Sequence, residues 1–99
     1  MIIDGTNIHE FLNEDGTVLH CSNLGVTSLI IPNTCTNLEM INCYNNQLTS
    51  LTIPDTCTLL KKIECDNNLL TTITIPDICT SLEGIYCSYN QLATLSIPL

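Results

Sequence analysis

The chain has 99 residues, enough for one domain and too few for two. Apolar residues make up 44% of the sequence, whereas charged residues make up 12%, against roughly 25% in most soluble proteins. Two lysines face ten acidic residues, and the net charge of −8 argues against nucleic acid or anionic lipid as a partner, because both need a cationic surface.

The first fifteen residues do not follow the pattern of the rest of the chain and are predicted to form a capping segment. Ile8 to Leu12 predicts a strand, Asn13 to Gly16 a turn, and Thr17 to Cys21 a second strand, so that a hairpin would cover one end of the core. A degenerate half-coil is the alternative. Neither a secretory signal nor a membrane-spanning apolar run is present in the sequence.

A 22-residue repeat occupies residues 16–99, and two columns of cysteines define it. The coils are 16–37, 38–59, 60–81 and 82–99, and they share the frame L-x-x-I-x-C-x-x-N-x-L-x-x-L-x-I-P-D-x-C-T-x. The two columns contain Cys21, Cys43, Cys65 and Cys87, and Cys35, Cys57 and Cys79.

Each coil is predicted to contain a strand near its start, because apolar and polar residues alternate there. Strands stacked in register would form a parallel sheet in which neighbouring strands lie about 4.8 Å apart. On the opposite side, apolar and polar residues alternate up to a proline, and the residues after the proline are poor helix formers. That side is predicted to consist of short extended pieces and turns, or brief 3-10 segments.

The segment from Leu38 to Leu48 resembles the signature of leucine-rich repeats, L-x-x-L-x-[LC]-x-x-N-x-L, as do the coils that begin at Leu60 and Leu82. The resemblance implies a mainly β, right-handed solenoid of about four coils, with the parallel sheet on its concave face. It also implies a protein-protein interaction module without enzymatic activity or cofactor. The cysteine column resembles internalin-type repeats of bacterial surface proteins, and the N-Q-L-T-S-L-x-I-P run resembles repeats of bacterial effector proteins.

The cysteines could be metal ligands, disulfides or core residues. Zinc sites use closely paired ligands such as C-x₂-C, which the sequence lacks. Stacked in-register side chains would strain a disulfide, so we expect buried free thiols and a cytoplasmic or other reducing compartment. The cysteines and the asparagine at the ninth position of each coil are predicted to form structural ladders; the asparagines are Asn46, Asn68 and Asn90.

The outward side chains of the predicted sheet are the candidate partner-binding residues, because solenoids commonly bind through this surface. They include all three tyrosines, a residue type enriched at interface hot spots, although scattered surface tyrosines are also ordinary. Acid–base or metal chemistry by Glu64, Asp66 and His20 is the less favoured interpretation. The predicted set is His20, Met40, Asn42, Tyr44, Glu64, Asp66, Tyr86 and Tyr89.

The last coil has no polar capping unit behind it, so its apolar side chains are predicted to border an open core. The chain would then be a fragment of a longer array, be covered by another protein, or stack end to end into oligomers or filaments. The predicted stacking residues are Leu82, Ile85, Leu92, Leu95 and Ile97.

Overall fold

The computed structural model describes residues 1–95 as a β-solenoid of about four turns, which confirms the predicted fold class. A 3-10 helix, Ile8–Glu10, is the only helical element in these residues, and none of them forms a helix with the length and apolarity of a membrane span. The strands are β1 (Ile2–Ile3), β2 (Val18–His20), β3 (Ser28–Leu29), β4 (Met40–Asn42), β5 (Ser50–Thr52), β6 (Lys62–Glu64), β7 (Thr72–Thr74) and β8 (Gly84–Tyr86).

One side of the solenoid is a four-stranded parallel sheet in the order β2-β4-β6-β8. Its register advances by one repeat per strand, so that Leu19, Ile41, Ile63 and Ile85 are successive partners. The first three of these side chains are fully buried, while the residues before and after them point outward. The period-two alternation of the sequence therefore corresponds to the two faces of this sheet.

The opposite side of the solenoid contains two separate parallel strand pairs, β1-β3 and β5-β7. The strands β3, β5 and β7 each end shortly before a proline, which favours extended backbone in the residue that precedes it. A turn follows, in which the Cys57 N–H donates to Pro54 O (3.1 Å) and the Cys79 N–H to Pro76 O (3.0 Å). Within residues 1–95, extended pieces and turns therefore make up this side of the repeat, as predicted.

The N-terminal segment differs from its prediction, because Ile8–Glu10 is a 3-10 helix and not a strand. Asp4 O accepts the N–H groups of Asn7 (3.1 Å) and Ile8 (2.8 Å), which bends the chain before a strand can begin. One feature of the predicted hairpin and one of the alternative half-coil nevertheless occur. Leu12 forms an antiparallel bridge with Leu19, and Ile2–Ile3 pairs with β3 as a half-coil would.

Position nine of the repeat carries asparagines that join neighbouring coils through hydrogen bonds. Asn68 Nδ2 donates to Cys43 O (3.0 Å) and Cys65 O (3.1 Å), and Asn68 Oδ1 accepts the Leu48 N–H (3.0 Å). Asn46 and Asn90 make the equivalent contacts one coil before and after. The amide of each asparagine thus satisfies backbone groups where the chain leaves the strand.

Both cysteine columns face the core, and burial is the largest influence on the acidity of their thiols. Burial raises the pKa of Cys21 and Cys57 to about 11 and that of Cys65 to about 12, and it raises the pKa of Cys43 further. In the second column two of the three thiols also donate to the preceding coil, from Cys57 Sγ to Cys35 O and from Cys79 Sγ to Cys57 O, both at 3.3 Å. These thiols fill space as small apolar side chains do.

Thiol labelling should divide the seven cysteines into two groups. Cys35 and Cys87 are half-buried and the other five are buried. We expect Ellman's reagent at pH 8 to titrate two thiols quickly in the native protein, because attack requires an exposed thiolate. All seven should react at once in guanidinium chloride. Fast reaction of five or more native thiols would contradict the buried columns.

Candidate interaction surface

The outward residues of the four-stranded sheet, together with the turn after each strand, form one continuous surface, the sheet face. The register places Val18, Met40, Lys62 and Gly84 in one row. His20, Asn42, Glu64 and Tyr86 form the next row. Residues that are 22 positions apart in sequence are therefore direct neighbours in space, and the chemistry of this surface changes from coil to coil.

Tyr86 lies across the sheet face above Gly84, the residue that occupies the preceding outward position on β8. A β-carbon at Gly84 would be 3.2 Å from Cε2 of the Tyr86 ring, closer than ordinary packing allows. Lys62 Nζ lies 5.1 Å from the centroid of the same ring and 3.0 Å from Glu64 Oε1. The hydrogen bond to Glu64 raises the pKa of Lys62, so the cation is stabilised between a ring and a carboxylate.

The residue that follows each sheet-face strand by three positions has a left-handed backbone. Its φ is 59° at Asn23, 56° at Asn45 and Asn67, and 56° at Tyr89. Asn45 Nδ2 donates to Asn23 Oδ1, and Asn67 Nδ2 donates to Asn45 Oδ1, both at 2.8 Å. Asparagine tolerates this conformation, whereas a bulky residue is strained in it by roughly 1–2 kcal/mol. Tyr89 therefore breaks an exposed asparagine ladder at an energetic cost.

A groove of about 750 Å³ lies on the sheet face and is lined by all three tyrosines of the chain. Glu64 and Asp66 also line it, and its remaining lining residues, Asn45, Asn67 and Ser88, are uncharged. Asp66 Oδ1 accepts the Ser88 N–H at 2.6 Å, which fixes the carboxylate at the groove wall. This tyrosine groove brings together five of the predicted partner-binding residues: Tyr44, Glu64, Asp66, Tyr86 and Tyr89.

Residues 36–77 match the family model described as leucine rich repeats in two copies. The match lies within a solenoid whose turns are about 22 residues long. Residues 36–77 therefore contain leucine-rich repeats. Comparison with curated proteins and with solved structures gave no match.

The remaining candidate partner-binding residues lie on the same surface as the tyrosine groove but do not line it. Met40 lines a second hollow of about 470 Å³ with Lys62, Gly84 and Tyr86. His20 is exposed, and Asn42 is half-buried between the first and third coils. Within residues 1–95 no three His, Cys, Asp or Glu side chains converge as metal ligands would, so His20, Glu64 and Asp66 do not form such a group.

Sequence reasoning missed two features of the site. Gly84 leaves room for the Tyr86 ring, and a glycine alone in a row of larger residues is the signal that could have found it. The strain at Tyr89 was also missed, although a tyrosine that follows three asparagines in one column is visible in the sequence. Comparison within each repeat column would have pointed to both.

The predicted stacking residues border the last described coil. Leu82, Ile85 and Leu92 are only half-buried, whereas their counterparts Leu60, Ile63 and Leu70 in the preceding coil are fully buried. Leu95 is 42% exposed, and Ile97 lies outside the described residues. At the other end, the edge of β2 is occupied by the chain itself, because the His20 N–H donates to Phe11 O and the Asn13 N–H to Val18 O.

Proposed function

We propose that this chain is a non-enzymatic protein-protein interaction module that binds its partner through the sheet face. The observation that carries the proposal is the tyrosine groove, where every tyrosine of the chain meets two carboxylates on one surface. Tyrosine supplies a large contact area with few rotatable bonds, which is why it dominates many interface hot spots. Leucine-rich repeat solenoids are common protein-binding modules, and this supports the same class of function.

In the second and third coils the opposite side of the solenoid offers a poor binding surface by comparison. The outward residues of β5 and β7 are Ser50, Thr52, Thr72 and Thr74, all small, polar and exposed. Small hydroxyl side chains bury little apolar area and are under-represented among hot spots. The contrast between the two sides favours the sheet face as the binding surface.

Site-specific photo-crosslinking would test which face binds. A benzoylphenylalanine at Tyr44 should form a covalent adduct with a protein partner in cells of the source organism. The same group at Thr52, on the opposite side, should form none. Because both positions lie on the same scaffold, they differ mainly in the face they report. Adducts from Thr52 alone would overturn the proposal.

The half-buried apolar side chains of the last described coil support a second candidate function, self-assembly. The chain occupies its own β2 edge, so a second copy cannot extend the sheet there in head-to-tail fashion. Contact between the half-buried ends of two copies would instead be two-fold and closed. This alternative is a dimer through Leu82, Ile85, Leu92 and Leu95 and not a filament.

Light scattering at rising concentration would test self-assembly. The alternative predicts a mass of twice the 10.9 kDa chain for the unaltered protein. Leu95→Asp should give the monomer mass, because an unpaired charge in an apolar contact is costly. Ile30→Asp, at a 60% exposed site on the opposite side, is the matched control and should remain dimeric. A monomer at every concentration, or a dimer that persists in Leu95→Asp, would exclude this alternative.

A further inference from the structure

We propose that the tyrosine groove binds an arginine or lysine side chain from a basic segment of the partner protein. The inference rests on the proposed function of the sheet face and names the chemistry of the partner. Its cationic group would lie against the tyrosine rings and pair with Asp66.

Charge complementarity identifies the occupant. The groove contains two carboxylates, and none of its described lining residues is basic. The whole chain has a net charge of −8 and no arginine, and its two lysines are already paired: Lys61 with Glu39 at 3.2 Å and Lys62 with Glu64 at 3.0 Å. A cation for the groove must therefore come from another molecule. An acidic chain also attracts basic partners from a distance and speeds their association.

The chain itself contains an example of this recognition at the edge of the groove. The Lys62 ammonium lies over the Tyr86 ring and beside the Glu64 carboxylate, which is the arrangement that binds cations in aromatic sites. Tyr44, Tyr89 and Asp66 supply a second set of rings and carboxylate in the same groove. No lysine of the described chain lines that part, so it is open to a cation from a partner.

The Asp66 carboxylate is already positioned to form an ion pair with such a cation. Its Oδ1 accepts the Ser88 N–H at 2.6 Å, and within residues 1–95 no hydrogen bond is made to its second oxygen. A carboxylate fixed by one backbone donor loses little further freedom when it binds an arginine or lysine. Charge-assisted hydrogen bonds of this kind are among the strongest that proteins make.

Tyr89 is an exposed residue with a strained backbone that interrupts the asparagine ladder. It is 85% exposed, has a φ of 56°, and stands where an asparagine would continue the ladder to Asn67. A strained residue that forgoes this hydrogen bond is accounted for by contact with something outside the chain. Its place on the wall of an acidic groove makes that contact cationic.

The test uses the peptide acetyl-(Arg-Gly)₄-amide as the probe. The chain has no tryptophan and all its tyrosines line the groove, so intrinsic tyrosine fluorescence reports directly on groove occupancy. We expect a saturable fluorescence change and a Kd that calorimetry reproduces. The peptide with citrulline in place of arginine keeps the shape and loses the charge, and it should not bind.

Three variants separate the groove from general attraction to an acidic chain. Asp66→Asn keeps the acceptor for Ser88 and removes the charge, and Tyr89→Asn restores the residue that the other coils carry. Each should raise the Kd for the arginine peptide at least tenfold. Asp77→Asn removes the same charge at an exposed position in the turn after Pro76. This control should change the Kd for the arginine peptide less than twofold.

Equal effects of Asp66→Asn and Asp77→Asn would overturn the inference, since binding would then follow net charge alone. An unchanged Kd in Tyr89→Asn would also overturn it. These failures differ from failure of the proposed function. Adducts from position 44 that the arginine peptide does not compete away would leave the sheet face as the binding surface and remove only the basic partner.

Discussion

Raising the pH above 9 is expected to unfold this protein, because its buried thiols resist ionisation only while it is folded. The ordinary thiol pKa is 9.0, and burial raises it to about 11 or above in Cys21, Cys57, Cys65 and Cys43. Above pH 9 the unfolded chain therefore binds fewer protons than the folded one, and stability falls as pH rises. Below pH 9 the folded and unfolded states both keep these protons, so the thiols do not lower the free energy of unfolding.

The size of the effect follows from the number of thiols. Each one lowers the free energy of unfolding by about 1.4 kcal/mol per pH unit between its unfolded and folded pKa. The four together remove roughly 5 kcal/mol per pH unit from a total that is about 5–15 kcal/mol for small domains. The folded state should be lost within about one to three pH units above 9.

Urea unfolding at pH 8, 9 and 10 in a phosphine reductant would measure this slope. Cys43→Val removes one of the four titrating thiols and keeps an apolar side chain. Between pH 9 and 10 the free energy of unfolding of this variant should fall about a quarter less steeply than that of the unaltered protein. Its stability at pH 8 serves as the reference for any packing change. A free energy of unfolding that is constant from pH 8 to pH 10 would contradict the buried thiols.

Asn68→Ala should destabilise the protein by about 3–5 kcal/mol. Asn68 is 5% exposed, and its loss leaves the Leu48 N–H unpaired. Cys43 O and Cys65 O each lose one of two amide donors and keep the other, from Asn46 and Asn90 respectively. An unsatisfied buried N–H costs roughly 1–3 kcal/mol, and each hydrogen bond lost to a carbonyl that keeps a second donor costs roughly 1 kcal/mol more. The measurement is the urea midpoint and slope at pH 7.

Asn90→Ala is the matched control for this prediction. Asn90 makes the same three contacts, to Leu70 N, Cys65 O and Cys87 O, but is half-buried in the last described coil. Water can reach the freed groups there, so we expect a cost of about 1 kcal/mol. Equal costs at both positions, or less than about 1 kcal/mol at Asn68, would show that burial does not set the value of the ladder.

The repeat made most of the fold predictable, because one register fixes many contacts. Once Leu19, Ile41 and Ile63 were aligned by the cysteine column, the pairing of the sheet and its inward face followed from strand periodicity. The proline that follows each of the strands β3, β5 and β7 likewise predicted where the extended backbone ends and a turn begins.

Residues outside the repeat frame were harder to predict. The segment from Ile8 to Leu12 predicts a strand, but Asp4 O accepts the N–H groups of Asn7 and Ile8, and the Phe11 N–H donates to Ile8 O, so a 3-10 helix forms instead. The sheet face showed a related limit. The sequence named the tyrosines, but only the structure shows that Gly84 lets Tyr86 lie flat beside Lys62 and Glu64.

The hydrogen bonds of the asparagine ladder join each coil only to its immediate neighbour, at a constant separation along the chain. Insertion or deletion of one whole 22-residue unit between residues 38 and 81 would therefore recreate every type of contact that it disrupts. Recombination between neighbouring repeats in the gene could lengthen or shorten the molecule in this way. The coil that contains Tyr86 and Tyr89 would be unchanged, while the acidic coil beside it could be exchanged, and with it the preference for a partner.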